Sequence, residues 1–370
     1  MKLSLKHYQA TNDVFTRLNN LRRWTDFTTQ QKYNELAKQA FNCFIAYLIA
    51  KCCEHEGWKI NYESFPHIAM GRAFAKAYVY YDTPEHKISE ICDLSSIYKC
   101  EFDKVAKEIL TNKTDAEFAD FIDEDGTSNE VKIYKAATKI ATYIEILEQG
   151  KGFSEWKKIR QIKKDLKKYY DVPGVALFTR KFSRPFKLLK EVSKLRNQVR
   201  WATCSYTTEC SVLGHLFDTA VFAYLNAIDE GLDEEVATKL FFMGIYHDIA
   251  ETWTKDIPRP IKDKIEGFRK ATETYELRMI KKHIYARLPD FLVKAVKEVM
   301  VEDEENKELK NMLKPADYRS ADSECYRNYM SGSRDPYFAE AILGNKVQCT
   351  SKAGMELHEY FVEYVKKLNL

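Results

Sequence analysis

Apolar residues along this chain recur mainly at spacings of three and four. Leu213, Leu216, Phe217, Val221 and Tyr224 form one such stripe, and Trp156, Ile159, Ile162 and Leu166 form another with lysines between them. This period marks one face of an amphipathic helix. The run Phe241-Phe242-Met243-Gly244-Ile245-Tyr246 reads as a further apolar helical segment. No series of short alternating strands stands out, and glycine (13) and proline (9) are scarce, so an all-α fold is expected. A chain of 370 residues can hold two domains, each large enough for its own core.

The chemistry begins where the third run ends, at His247-Asp248. An adjacent imidazole and carboxylate suit one borderline divalent cation. His215 lies on the apolar face of the first stripe, and Asp317 follows Pro315, a residue suited to the first turn of a helix. Singly, a histidine on an apolar face is ordinarily a hydrogen-bonded core residue, and an acid near a helix start simply complements the macrodipole. Jointly, His215, His247, Asp248 and Asp317 supply four protein ligands from three helices and leave positions open for water and substrate. Glu251, four residues after His247, is expected on the same helix face as the pair. Asp256 falls in a turn bounded by Pro258 and Pro260. These two carboxylates are candidates for proton transfer beside a metal-bound water, with ligand support and turn capping as the plainer alternatives.

With Arg200-Trp201 leading, then His215, His247-Asp248-Ile249-Ala250-Glu251, Asp256-Ile257-Pro258 and Ala316-Asp317, the chain resembles the HD-domain metal-dependent phosphohydrolases. Within them it is most similar to the bacterial 5′-deoxynucleotidases, over roughly Phe186 to the mid-340s. The resemblance implies one divalent transition metal (Mn, Co, Fe, Ni or Zn) held by His215, His247, Asp248 and Asp317. It also implies catalytic roles for Glu251 and Asp256, and a nucleotide pocket lined by Arg200 and Trp201. Two positions depart from the family pattern: Gly214 stands where an acidic residue usually precedes the first histidine, and Ala250 where a small polar residue precedes the catalytic glutamate. Two-metal members need further histidines after the His-Asp pair. Only His283 lies in that interval, which favours a mononuclear site.

The first half echoes the second. Arg23-Trp24 precedes Arg200-Trp201 by 177 residues, and Ala46-Tyr47-Leu48 precedes Ala223-Tyr224-Leu225 by the same distance. Asp82-Thr83-Pro84 echoes Asp256-Ile257-Pro258, and Lys135-Ala136-Ala137-Thr138 echoes Lys314-Pro315-Ala316-Asp317. Ordered matches at near-constant offset predict two tandem HD-like repeats. The first would be degenerate, with Lys38 in place of His215, Thr138 in place of Asp317, and no His-Asp pair near Gly71. The expected layout is a degenerate domain at 1–150, a basic connector at 151–185 and a catalytic domain at 186–370. Pairing is then expected within the chain as a pseudo-dimer, or between chains. His55, His67 and His86 fall outside the pattern and are expected at the surface.

Charge and cysteine content add less. Residues 151–190 carry thirteen Lys or Arg against three Asp or Glu, although the whole chain is only +3. Nucleic acid is one possible partner for that segment, and a solvated amphipathic helix is the favoured explanation. Nine cysteines without a Cys-x-x-Cys pair fit reduced thiols, and no signal peptide or membrane span is evident, so a cytoplasmic protein is expected. The function expected is hydrolysis of a nucleotide phosphomonoester, foremost a deoxynucleoside 5′-monophosphate. The alternatives are a nucleotide- or nucleic-acid-binding module with little turnover, and a hydrolase of di- or triphosphates or of another small phosphoester.

Overall fold

A computed structural model describes residues 2–25, 29, 31–83, 85–122, 126–149, 153–255, 257, 261, 264–300, 307–346 and 349–368. Nearly all of its elements are helices, as the apolar spacing predicts. Among the described residues the one sheet is a short antiparallel pair, β1 (Val199–Arg200) and β2 (Cys210–Ser211). The helices that matter for the site are α1 (Leu5–Asn20), α2 (Glu35–His55), α3 (Ser64–Tyr78), α4 (Asn129–Glu148) and α5 (Phe153–Lys167) in the first half. In the second they are α6 (Val212–Asp229), α7 (Glu234–Tyr246), α8 (Lys307–Met330) and α9 (Lys352–Leu368).

Helices α2 and α6 are buried along most of their length, as expected for segments apolar nearly all round. They pack against each other, α4 backs α2, and α8 backs α6. Across the junction Phe44 meets Tyr246 at 4.7 Å between ring centroids, and Tyr47 meets Phe242 at 4.7 Å. The Tyr246 hydroxyl donates to the Phe44 carbonyl at 2.9 Å, and that of Tyr8 donates to Asn226 Oδ1 at 2.8 Å. Burying a side chain such as Phe44 contributes about 2 kcal/mol. The buried apolar side chains accordingly form one continuous cluster, from Leu3 to Val365, that spans both halves.

Several local features recur at the 177-residue offset. Asn34 caps α2 by accepting from Ala37 N at 2.9 Å, and Ser211 caps α6 by accepting from Gly214 N at 3.1 Å. The bridge Arg22↔Asn34 has its counterpart in Val199↔Ser211. Trp24 and Trp201 both take positive φ, 61° and 60°, a strained choice for a bulky residue.

The basic segment after residue 152 is folded rather than a loose tether. In α5, Ile162 and Leu166 are buried against the first half while the lysines between them face solvent, which is the amphipathic arrangement favoured by the sequence. Gly150 and Gly152, read as the opening of the connector, lie outside the described residues, as does Pro84 of the echo motif. No described helix is long and apolar enough to cross a membrane.

Two expectations need correction. His67 is not a surface residue: its Nε2 lies 2.6 Å from the Tyr224 hydroxyl and 2.8 Å from Glu234, and it joins α3 to the second half. His55 is exposed, as expected, and stacks on Phe291 at 4.0 Å between centroids, while the side chain of His86 lies outside the described set. Pro315 does not start its helix, because α8 already runs from Lys307. Leu309, Met312 and Leu313 give the preceding turns an apolar face to bury, which outweighs the lost backbone bond at the proline.

Candidate metal centre

The close approach of α6 and α7 brings the ligand candidates together. A Cβ on Gly244 would stand 2.5 Å from the Ala220 Cα, so only glycine lets the helices meet this tightly. Helix α7 stops at Tyr246, because the imidazole of His247 turns back and its Nδ1 donates to the Gly244 carbonyl at 2.7 Å. Tight turns follow, with Glu251 N donating to Asp248 O at 3.0 Å. His247, Asp248 and Glu251 therefore do not share one continuous helix face as the spacing predicted. Glu251 instead opens a separate one-turn helix, Glu251–Thr254.

The bond from Nδ1 fixes the ring of His247 and leaves Nε2 as the atom that faces the other candidates. That atom is buried and makes no well-aligned hydrogen bond. Asp248 Oδ2 lies 3.2 Å from it and Asp317 Oδ1 3.9 Å. His215, whose side chain is fully buried on α6, brings its Nε2 to 2.9 Å from the same Asp317 oxygen. His215, His247 and Asp248 each offer one donor atom within 4.8 Å of the others. Donors sharing one ion stand at about these separations, since each lies roughly 2 Å from it. An orphaned imidazole nitrogen among two carboxylates and a second imidazole thus fits a divalent cation.

The electrostatics agree. Burial and Arg200 push His215 down, but Glu324 and Asp317 outweigh them and raise it to about 9. Asp248 is held far below the usual carboxylate range: burial opposes this, and the two histidines overcome it. Asp317 is lowered in the same way, chiefly by His215. Protons on the imidazoles supply the positive charge that a cation would otherwise bring, and ligand histidines must release them on binding.

Beneath the ligands lies a group that sequence reasoning missed. Glu324, fully buried on α8, accepts from Arg200 Nε at 2.9 Å and from Trp201 Nε1 at 2.7 Å. Its other oxygen lies 3.2 Å from His215 Nδ1, an atom that is also 2.8 Å from the Ser320 hydroxyl. Burial alone would raise this carboxyl, yet Arg200 and His215 hold it at about 2. One buried charge therefore orients a ligand histidine and both residues of the Arg-Trp pair. A signal for it was present: Glu324 follows Asp317 by seven residues, and Glu145 follows Thr138 by the same interval.

Of the sequence-predicted residues, His215, His247, Asp248 and Asp317 converge, and Arg200 with Trp201 lies one carboxylate away. Glu251 is half-buried, with its carbonyl accepting from Gln198 Nε2 at 3.0 Å. Asp256, Pro258 and Pro260 lie outside the described residues. His283 stacks on Trp253 at 4.9 Å and pairs with Glu191, apart from the centre. The departure at Gly214 has a physical reason. A Cβ there would press on Leu36 Cδ2 at 3.2 Å, so the first half occupies the space of an acidic side chain and would strand its charge.

The first half repeats the anchor with different chemistry above it. Glu145, fully buried on α4, accepts from Arg23 Nη2 at 3.0 Å and Trp24 Nε1 at 2.9 Å, as Glu324 does in the second half. Lys38, at the place of His215, is 7% exposed. Burial, with Arg23 and Lys76 adding like charge, pushes its ammonium down to about 8, against the pull of Glu35 and Glu145. Below pH 8 both folded and unfolded chains hold this proton, and the folded chain carries the full penalty, about 3 kcal/mol. Between pH 8 and the ordinary 10.5 the unfolded chain binds more proton, so stability rises with pH. Lys38→Met, which keeps the volume and removes the charge, should raise the urea midpoint at neutral pH. That advantage should shrink as pH climbs toward 10.5. An advantage that is absent, or independent of pH, would show that the charge is not penalised there.

An all-helical frame around a divalent-metal centre of this composition belongs to the HD-type phosphohydrolases. Residues 187–367 match the family described as 5′-deoxynucleotidase YfbR-like. The match makes the protein a hydrolase of HD type, and such hydrolases use a divalent metal. No curated protein matches the chain.

Proposed function

We propose that the second half hydrolyses deoxynucleoside 5′-monophosphates at the centre built by His215, His247, Asp248 and Asp317. The observation that carries this is the buried, unengaged Nε2 of His247 among those donors, within a region that matches the family. Two nitrogens and two carboxylate oxygens suit a first-row divalent ion such as Mn, Co, Fe, Ni or Zn. When bound, that ion polarises a phosphoryl oxygen and acidifies its water.

The remaining work falls to the chain. Glu251, one turn beyond the pair, takes up the proton released as water attacks, and Asp256 returns a proton to the leaving sugar oxygen. Arg200, held by Glu324, offsets phosphate charge, and its Nη groups remain beyond that bond. Trp201, fixed between Glu324 and the rings of Tyr337 and Phe338, packs against the sugar or base. The first half, 1–150, covers the catalytic half as a built-in partner without metal ligands, and 151–185 joins the two.

The test is a metal-stripped sample reconstituted with Mn²⁺ or Co²⁺ and assayed on nucleoside mono-, di- and triphosphates. Orthophosphate released from deoxynucleoside monophosphates, and lost again with chelator, is the expected result. Pyrophosphate or triphosphate as the main product would replace this substrate class with a longer phosphate chain. Binding without turnover under every metal would leave only a nucleotide-binding module.

A further inference from the structure

The first half keeps the second half's frame and reverses the charge above it. Around His215 stand Asp248, Asp317 and Glu324; at the matching places the first half has Lys38 for the histidine and Thr138 for Asp317. Lys76, half-buried on α3, adds a second ammonium that acts on both Lys38 and Glu35. The carboxylates cannot neutralise these groups. Arg23 already holds Glu35 at 2.6 Å and Glu145 at 3.0 Å, and Arg196 holds the other oxygen of Glu145 at 2.8 Å.

Lys38 itself makes no hydrogen bond or ion pair among the described residues, although it is more than nine-tenths buried. Lys76 spends one N–H on the Tyr80 carbonyl at 3.2 Å. An ammonium with no protein acceptor is free to donate to an anion, which gives it a charge-assisted bond. Two uncompensated ammonium groups match the charge of a phosphomonoester dianion, whose several oxygens accept from both. The half-buried Trp24 indole, fixed by its bond to Glu145, offers a ring beside it.

We propose that this cluster is a metal-independent binding site for phosphate and phosphomonoesters, formed by Lys38 and Lys76 over the Arg23-Trp24-Glu145 anchor. It performs no hydrolysis, since nothing at the His247-Asp248 position can hold a metal or activate water. The site stands independently of turnover in the second half, because its signature is binding by the metal-free chain.

The experiment uses the full-length protein after chelation, titrated calorimetrically with inorganic phosphate and, separately, with a deoxynucleoside 5′-monophosphate. Wild type should take up phosphate at millimolar concentration or below. Lys38→Met and Lys76→Gln should each weaken that binding by about tenfold or more, the loss of a charge-assisted contact. Lys76→Gln should keep the wild-type melting transition, Lys38→Met should melt no lower than wild type, and both should keep the metal content of the second half. No uptake by wild type, or affinity unchanged in Lys38→Met, would overturn the site and leave Lys38 as a fixed internal counter-ion. Should Lys38→Met fail to fold, unchanged affinity in the more exposed Lys76→Gln overturns it equally. Tighter binding of the nucleotide than of phosphate, lost in the same variants, would extend the site to the Trp24 ring.

Discussion

Asp248→Ala should bring metal content close to zero and lower kcat/KM by about 10³-fold or more, because the polarising ion is worth several kcal/mol to the transition state. The carboxylate lies 3.2 Å from His247 Nε2 and is held ionised well below the usual range, so its removal takes away both a donor and one of the three nearby negative charges. Glu251→Gln separates the two kinds of role. If Glu251 handles protons rather than metal, that variant keeps its ion while kcat falls by about 10² to 10⁴. Metal analysis beside steady-state rates decides. Turnover within tenfold of wild type in Asp248→Ala, with the ion still bound, would remove the proposed ligand set.

The second large effect is expected at a residue outside the ligand set. Glu324→Gln keeps the shape but discards the buried charge that faces Arg200, Trp201 and His215. Leaving a buried guanidinium without its counter-ion costs about 3 to 5 kcal/mol, and loss of support for a ligand histidine weakens metal binding by about 10- to 100-fold. Glu145→Gln provides the matched control. It breaks the same anchor in the first half, so denaturant unfolding should register a comparable loss of stability while metal affinity stays unchanged. Equal loss of metal affinity in both variants would mean that Glu324 acts only through global stability.

The parts of this architecture set by local pattern were legible in the sequence. The period of Leu213 to Tyr224 gave α6, the apolar run before His247 gave α7, and the order His215, His247-Asp248, Asp317 named residues that the fold brings together. What escaped depended on non-local contacts. The break after Tyr246 comes from an imidazole bonding back to Gly244, which no periodicity encodes. The early start of α8 depends on burial of Leu309 and Leu313, and Pro315 masked it. Glu324 is one acid among the chain's many. Only its bonds to Arg200 and Trp201, repeated by Glu145 with Arg23 and Trp24, set it apart.

The apolar cluster that runs unbroken from Leu3 to Val365 has a consequence for how the chain can be cut. Neither half can leave the other without exposing the faces of α2 and α6 to water, so the pair should open and close as one cooperative unit. A nick in the solvent-facing α5 region would then release no free domain. The two pieces would stay clasped, as in a split-protein reporter, and each would need the other present in order to fold.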